Sequence, residues 1–265
     1  MIDVPKLETI EITLFDTGVA EIAHNRPKRY NALSPQSYKD WLTALQWAAK
    51  EDAVKVAVLI GRGKYYSSGQ ELALTDADEE ELDRRRATTQ NVVSEMIRFP
   101  KLLIGAVNGP SIGFGTTTLA LCDVVYSTPE ATFGTPFMKL GFCAEGCSSV
   151  LFPRIMGSSR ANEMLLLGRT FTAKEMVDCG FVSRLIETEN FRQKILEIAN
   201  EAAQFSVDAV KTTKRLIRGV DVEMLEQVNV EEIKALKGRM ESPDSLESIM
   251  KFIEETKRKK NKAKL

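Results

Sequence analysis

An α/β fold is predicted by three features of this 265-residue chain: apolar runs short enough for buried strands, glycine turns at their ends, and helix-forming segments beyond the turns. Leu102 to Val107 is one such run. It is followed by Asn108-Gly109-Pro110-Ser111-Ile112-Gly113-Phe114-Gly115 and then by Thr116-Thr117-Thr118-Leu119-Ala120-Leu121-Cys122-Asp123. The order reads as strand, glycine turn and buried helix. Glycine lets backbone approach backbone or ligand closely. A helix starting near Phe114 would present amides that have no intrahelical acceptor and sit at the positive end of its dipole. Such amides can receive a developing negative charge. Taken alone, a glycine turn is more simply a packing device.

The other elements follow in chain order. Ser34-Pro35 has the form of an N-cap followed by proline in the first turn, and Tyr38, Trp41, Leu42, Leu45, Ala48 and Ala49 then recur at helical spacing. Trp41 falls on that stripe and reads as core, with Trp47 at its edge. Val54 to Ile60 is a second strand-like run, closed by Gly61-Arg62-Gly63 and followed by Tyr65-Tyr66-Ser67-Ser68-Gly69-Gln70-Glu71-Leu72. Asp76 to Arg86 is dense in charge, as a solvated helix or mobile loop is, and has no catalytic role. Beyond Ser158 the pattern is mostly helical, with apolar repeats at Met164, Leu165 and Leu167, then Ile195 to Phe205, Val210 to Ile217, and Ser242 to Ile253.

Composition sets the outer bounds. With 43% hydrophobic residues the chain can bury a core, and the pattern divides it into a core at 1–200 and a helical region with a basic tail at 201–265. A formal net charge of -1 exerts no global pull on nucleic acid or an anionic membrane. No apolar run approaches the roughly 20 residues that span a bilayer as a helix. Cys122, Cys143, Cys147 and Cys179 lack metal-ligand spacing, His24 is the only histidine, and no signal peptide is read, so reduced thiols and no metal are expected. On a helix, Cys143 and Cys147 would share a face.

His24-Asn25-Arg26-Pro27 with Asn31-Ala32-Leu33-Ser34, the Tyr65–Leu72 segment and the Asn108–Gly115 segment resemble, in order and spacing, the crotonase superfamily, also called the enoyl-CoA hydratase/isomerase family. The resemblance covers about Ile10 to Leu185, and the helical remainder fits it less specifically. It implies a spiral of strand–helix repeats with a C-terminal helical trimerisation region. It also implies a homotrimer or dimer of trimers, and an acyl-CoA thioester whose enolate is held by two backbone amides. By position these would be those of Ser68 and Phe114.

Hydratases of this fold place one glutamate on the helix after the second glycine turn and another after a downstream proline. Here those positions hold Thr117 and Phe137, and neither side chain can act as a carboxylate base. A carboxylate does occur at Glu145, in Leu140-Gly141-Phe142-Cys143-Ala144-Glu145-Gly146-Cys147-Ser148-Ser149. This segment resembles the peroxisomal-type delta-3,delta-2-enoyl-CoA isomerases, in which a glutamate moves the proton. The expectation is therefore an isomerase in unsaturated fatty-acid oxidation, with Glu145 as the proton carrier. Without the resemblance, a glutamate preceding a helix is more simply an N-terminal carboxylate. Apolar neighbours such as Phe142 and Phe137 would raise its pKa while a helix N-terminus would lower it, a balance that sequence leaves open.

The resemblance implies that coenzyme A, part of the substrate and no separate cofactor, lies along Ser67, Ser68, Gly69, Gln70, Glu71 and Leu72, with Gly113 and Phe137 also in the pocket. Lys28 and Arg29 either face its phosphates or form a solvated turn. Met138, Phe142 and Met96 either line an acyl tunnel or belong to the core. The family often uses a lysine in the last helix after an aromatic residue, whereas here Phe252 is followed by Glu254 and Glu255. The chain ends Lys257-Arg258-Lys259-Lys260-Asn261-Lys262-Ala263-Lys264-Leu265. Ala263-Lys264-Leu265 is similar to the Ser-Lys-Leu address read by the peroxisomal import receptor, which points to the peroxisome. The same lysines could bind RNA or an anionic surface, but no stacking aromatic accompanies them. Another crotonase-type reaction (dienoyl-CoA isomerisation, hydration or hydrolysis) or silent acyl-CoA binding are the alternatives.

Overall fold

Near-continuous apolar sequence suits a strand whose two faces are both covered, and three such runs form the parallel middle of a sheet. The computed structural model describes residues 2–72 and 77–262, with side chains through residue 255. The chain begins with β1 (Ile10–Leu14), β2 (Val19–His24), α1 (Pro35–Lys50), β3 (Val56–Gly61), α2 (Glu79–Arg98) and β4 (Leu102–Val107). Then come β5 (Ser111–Ile112), the single-turn α3 (Phe114–Thr117), β6 (Val124–Ser127) and β7 (Thr132–Gly134). Next are α4 (Ser148–Met156), α5 (Ser158–Leu165), β8 (Phe171–Thr172), α6 (Ala173–Asp178) and β9 (Arg184–Leu185). The chain closes with α7 (Phe191–Ala202), α8 (Val207–Arg218), α9 (Val222–Met240) and α10 (Pro243–Lys262).

The larger sheet has the order β1-β2-β3-β4-β6-β9, with β1 antiparallel to β2 and the remaining pairs parallel. A smaller sheet, β5-β7-β8, lies beside it. Alternate residues of the middle strands enter two cores. Ala20, Ile22, Ala57, Leu59 and Leu103 pack toward Trp41, Leu45, Met96 and Phe99. Val19, Ala23, Val56, Val58 and Ile104 pack toward Phe191, Ile195 and Ala199. A period of two with apolar residues in both phases produces the continuous runs seen in the sequence.

Ser34 caps α1 by accepting from the Ser37 N–H at 3.2 Å, with Pro35 in the first turn. The predicted stripe buries Tyr38, Trp41, Leu45 and Ala48, while Trp47 is half-buried and donates from Nε1 to Asp3 O. The helix expected from Phe114 is shorter than its sequence suggests. One α turn passes into a 3-10 turn at Thr118–Leu121, and all of it is buried. Its amides act as local donors rather than through a long helix dipole.

Of the two readings of the charged segment the helical one holds, while the places of Leu167, Phe205, Cys143 and Cys147 need correction. The charged segment up to Arg86 is the first half of α2, which begins after Asp78 and buries Val92, Val93, Met96 and Ile97 in its second half; Asp76 lies outside the described residues. Leu167 and Phe205 follow the ends of α5 and α7 and are exposed. Cys143 and Cys147 share no helix, because Cys147 is the left-handed residue preceding α4. Ala263-Lys264-Leu265 also lie outside the described residues. Among the described residues no helix is long and apolar enough to cross a membrane.

Asn31 organises the approach to the cleft. It is buried with a φ of 53°, a conformation asparagine tolerates better than most residues. Its Oδ1 accepts from the Arg26 N–H at 2.9 Å, and its Nδ2 donates to Arg62 O at 2.9 Å, Tyr65 O at 2.7 Å and Tyr66 O at 3.2 Å. Replacing it strands buried backbone groups on two segments at once. Asn31→Ala is expected to lower unfolding free energy by about 2 kcal/mol, measured by urea titration; an unchanged midpoint would contradict this bracing role.

Candidate active site

The two glycine segments meet backbone to backbone. Ser67 and Ser111 form a parallel bridge, and the Ile112 N–H donates to Ser67 O at 2.9 Å. Gly69 has a φ of 78°, and a Cβ there would lie 2.6 Å from Ile112 O. A Cβ on Gly115 would lie 2.8 Å from the Ser67 Cβ. Neither position has room for a side chain, so the glycines bring Gln70 and Phe114 to one cavity of about 560 Å³.

Ser68, Gly69, Gln70, Glu71, Leu72, Gly113, Phe137 and Lys28 all line this cavity, as do Arg29, Phe142 and Phe252. Ser67 does not. It is fully buried, and its hydroxyl donates to Asn31 O and accepts from the Gly69 N–H. Sequence order put Ser67 in the binding segment, but the residue holds that segment from behind.

The amides sort clearly. The Ser68 N–H donates to Tyr30 O at 3.0 Å, so the expectation that it is one of the two anion-holding donors is corrected. The Leu33–Gln70 bridge is made by the flanking residues, with Leu33 N–H donating to Gly69 O and Glu71 N–H to Leu33 O. In such a bridge the peptide groups of Gln70 itself face the other way. Among the described residues the N–H groups of Gln70 and Phe114 have no acceptor, and both residues line the cavity.

Glu145 sits where this cavity meets a second one of about 390 Å³, since it lines both. The second cavity is walled by Leu33, Tyr38, Leu82, Ile233, Leu236 and Met240, together with Arg85 and Arg86 of α2. Glu145 is 5% exposed, and among the described residues its carboxylate receives no hydrogen bond. Burial, and then the like charge of Glu232, push its pKa up to about 8. Desolvation therefore outweighs the N-terminus of α4, which is itself occupied by Glu232. The Tyr38 hydroxyl, buried in the same wall, also lacks a partner among the described residues.

Glu71 touches both cavities, but Arg26 and Arg29 pair with its carboxylate. Burial raises its pKa, and the two guanidinium groups more than offset that, leaving it below the usual value. Glu130 bonds to Thr188 and Glu163 to Arg169, and neither lines these cavities. Thr117 is buried beside Gly146, with its hydroxyl on Phe114 O, and Phe137 makes its share of the wall apolar. Of the three residues considered for an acyl tunnel, only Phe142 lines a cavity; Met96 is core and Met138 is exposed. Lys28 forms no ion pair among the described residues, whereas Arg29 is held by Glu71.

Comparison with known proteins gives the family and the fold. The family model "Enoyl-CoA hydratase/isomerase" matches residues 15–262. The chain is 38% identical to enoyl-CoA delta isomerase 2 of Homo sapiens over 251 residues, which is 93% of this chain and 63% of that protein. It is 35% identical to enoyl-CoA delta isomerase 3, peroxisomal, of Mus musculus over 242 residues, covering 90% of this chain and 76% of that one. The chain thus spans less than two thirds of the length of the human relative. The crystal structure of an enoyl-CoA hydratase/isomerase from Pseudoalteromonas atlantica T6c superposes with a TM-score of 0.85 at 28% identity, covering 94% of this chain and 98% of the other.

The raised pKa links Glu145 to stability. With an ordinary value of 4.5 when unfolded and about 8 when folded, the carboxyl stabilises the fold fully below pH 4.5, and this contribution is lost as pH rises through about 8. Relative to wild type, Glu145→Gln is expected to gain on the order of 4 kcal/mol between about pH 5 and about pH 9. Urea unfolding across that range measures the gain, and parallel pH profiles for the two proteins would contradict it.

Proposed function

The chain belongs to the enoyl-CoA hydratase/isomerase family, and from that premise we propose that it converts 3-enoyl-CoA into trans-2-enoyl-CoA, with Glu145 carrying the proton. One observation carries the reading: a buried carboxyl without a hydrogen-bond donor among the described residues lies between two cavities, one of them lined by Gln70 and Phe114, whose amides have no acceptor among those residues. The amides of Gln70 and Phe114 hold the thioester oxygen. As Glu145 takes a proton from C2, the electron pair delocalises onto that oxygen and negative charge grows there. A donor of this kind is worth about 2.7 to 4 kcal/mol of barrier. The same carboxyl then returns its proton to C4, the double bond moves to C2–C3, and no atom is gained or lost. A pKa of about 8 suits a group that must both accept and release a proton near neutral pH.

The apolar side of the site argues for isomerisation over hydration. A hydratase must hold and activate a water, and Thr117 and Phe137 offer no carboxylate for that purpose. Glu71, held by two arginines, is a poor substitute. The coenzyme A portion of the substrate runs past Ser68 to Leu72, with Lys28 available to a phosphate, while the acyl chain enters the Leu82–Leu236–Met240 cavity. No further cofactor is required by this chemistry. A homotrimer or dimer of trimers is part of the proposal, consistent with exposed Phe205, Leu216 and Ile217 in and beside α8. So is peroxisomal residence, supported by Ala263-Lys264-Leu265 and by the printed name of the mouse relative.

Glu145→Gln is expected to lower kcat for 3-enoyl-CoA by at least about a thousandfold while acyl-CoA binding persists, followed by ultraviolet absorbance of the conjugated thioester and by calorimetry. Retained turnover would exclude Glu145. For the address, a fluorescent protein ending in residues 257–265 is expected in puncta that coincide with a peroxisomal marker, and a diffuse signal would remove that assignment.

A further inference from the structure

The segment bearing Glu145 is held from a distance. Gly146 has a φ of 64° and Cys147 a φ of 60°. A non-glycine residue in that region is disfavoured by roughly 1 kcal/mol or more, and Cys147 gives α4 no side-chain cap. Without other help, the first amides of α4 would be buried and unpaired, since Cys147 is fully buried.

The missing acceptor comes from α9. Glu232, 7% exposed and far off in sequence, takes the Cys147 N–H on Oε2 at 2.6 Å and the Ser149 N–H on Oε1 at 3.0 Å. Ser148 fixes the other side of the turn, its Oγ donating to Glu145 O at 2.7 Å and its N–H to the same oxygen at 3.2 Å. These bonds fix the backbone on both sides of the turn, while among the described residues the Glu145 carboxylate itself has no hydrogen-bond partner.

We infer that Glu232 is a positioning residue for Glu145, clamping the left-handed turn that presents the base and setting a second negative charge beside it. The inference rests on the reading of Glu145 as proton carrier. A capping side chain supplied locally by a serine or aspartate would brace α4 equally well. Placing the cap on α9 does something a local cap would not: it makes the position of the base depend on the docking of the C-terminal helices.

The like charge has its own consequence. The groups near Glu145 are Glu232 from α9, Tyr38 from α1, Cys143 from the same loop, and Glu71, Arg85 and Arg86 in the cavity walls. Burial keeps Tyr38 and Cys143 neutral, Glu71 is paired with Arg26 and Arg29, and Arg85 and Arg86 are paired with Glu81 and Asp83. Glu232, whose own pKa is raised by burial and only partly held down by the Ser149 and Cys147 amides, is the acidic group left to disfavour ionisation of Glu145, adding to desolvation. Removing it should move the acid limb of activity to lower pH.

Two variants separate the clamp from the charge. Glu232→Gln keeps the size but loses the charge and one acceptor, because Nε2 cannot accept an N–H. Glu232→Asp keeps the charge and shortens the reach. The acid limb of kcat/KM for 3-enoyl-CoA is expected to fall by about half a pH unit or more in Glu232→Gln. It should stay in place in Glu232→Asp, whose kcat drops about tenfold with KM nearly unchanged. If Glu232→Gln does not fold, the kcat and KM of Glu232→Asp decide the matter. Both variants melting lower while kcat and the acid limb match wild type would overturn the inference, leaving Glu232 a brace of the fold. Wild type without isomerase activity, or an acid limb that survives in Glu145→Gln, would instead overturn the reading of Glu145 on which it depends.

Discussion

A carboxyl that is 5% exposed and has no hydrogen-bond donor among the described residues must be held in place by the rest of the protein, because ionising it in an apolar wall is expensive. Glu145 is in that position, and the features around it make sense as ways of maintaining it. Its wall is built from Phe137, Leu140 and Phe142, its backbone oxygen is fixed by Ser148, and the turn that follows is clamped by Glu232. Arg26 and Arg29 are taken up by Glu71 rather than left to pair with it, and of the cations in their loop only Lys28 is without an ion pair among the described residues. The protein keeps a buried carboxyl unpaired at one point while pairing the guanidinium groups around it.

The amide pair obeys a related economy. Several amides of the glycine segments are bonded: Ser68 to Tyr30, Gly69 to Ser67, Glu71 to Leu33, Gly113 to Gly134. Among the described residues the N–H groups of Gln70 and Phe114 stay without an acceptor beside the cavity, where close packing at Gly69 and Gly115 fixes the register of the segments. Buried amides of this kind are costly unless something binds them, so the geometry that leaves them open is also the geometry that suits an oxygen ligand.

Much of this was legible in the sequence, and the limits have physical causes. Ser34-Pro35 and the Trp41 stripe gave α1 correctly, and the bounds of β4 match its apolar run, since local capping and burial determine both. Phe114 was legible because a helix start necessarily frees its first amide. That Gln70 rather than Ser68 has the open amide depends on which peptide faces Leu33, and that pairing joins segments separated by the whole of α1 and β3. Glu232 carried a signal that went unread. It lies on the buried stripe of Leu225, Asn229, Glu232 and Leu236, where an ionisable residue needs a partner. That its partners are the Cys147 and Ser149 amides follows only from the docking of α9 on the core.

In the proposed chemistry one buried carboxyl carries the proton between two carbons of the same substrate. A 3-enoyl-CoA deuterated at both C2 positions tests it directly, with the 2-enoyl product from a reaction in ordinary water analysed by mass spectrometry. The account predicts deuterium at C4, delivered by Glu145 before exchange with solvent. Hydrated product, or isomer whose C4 carries only solvent hydrogen, would contradict it.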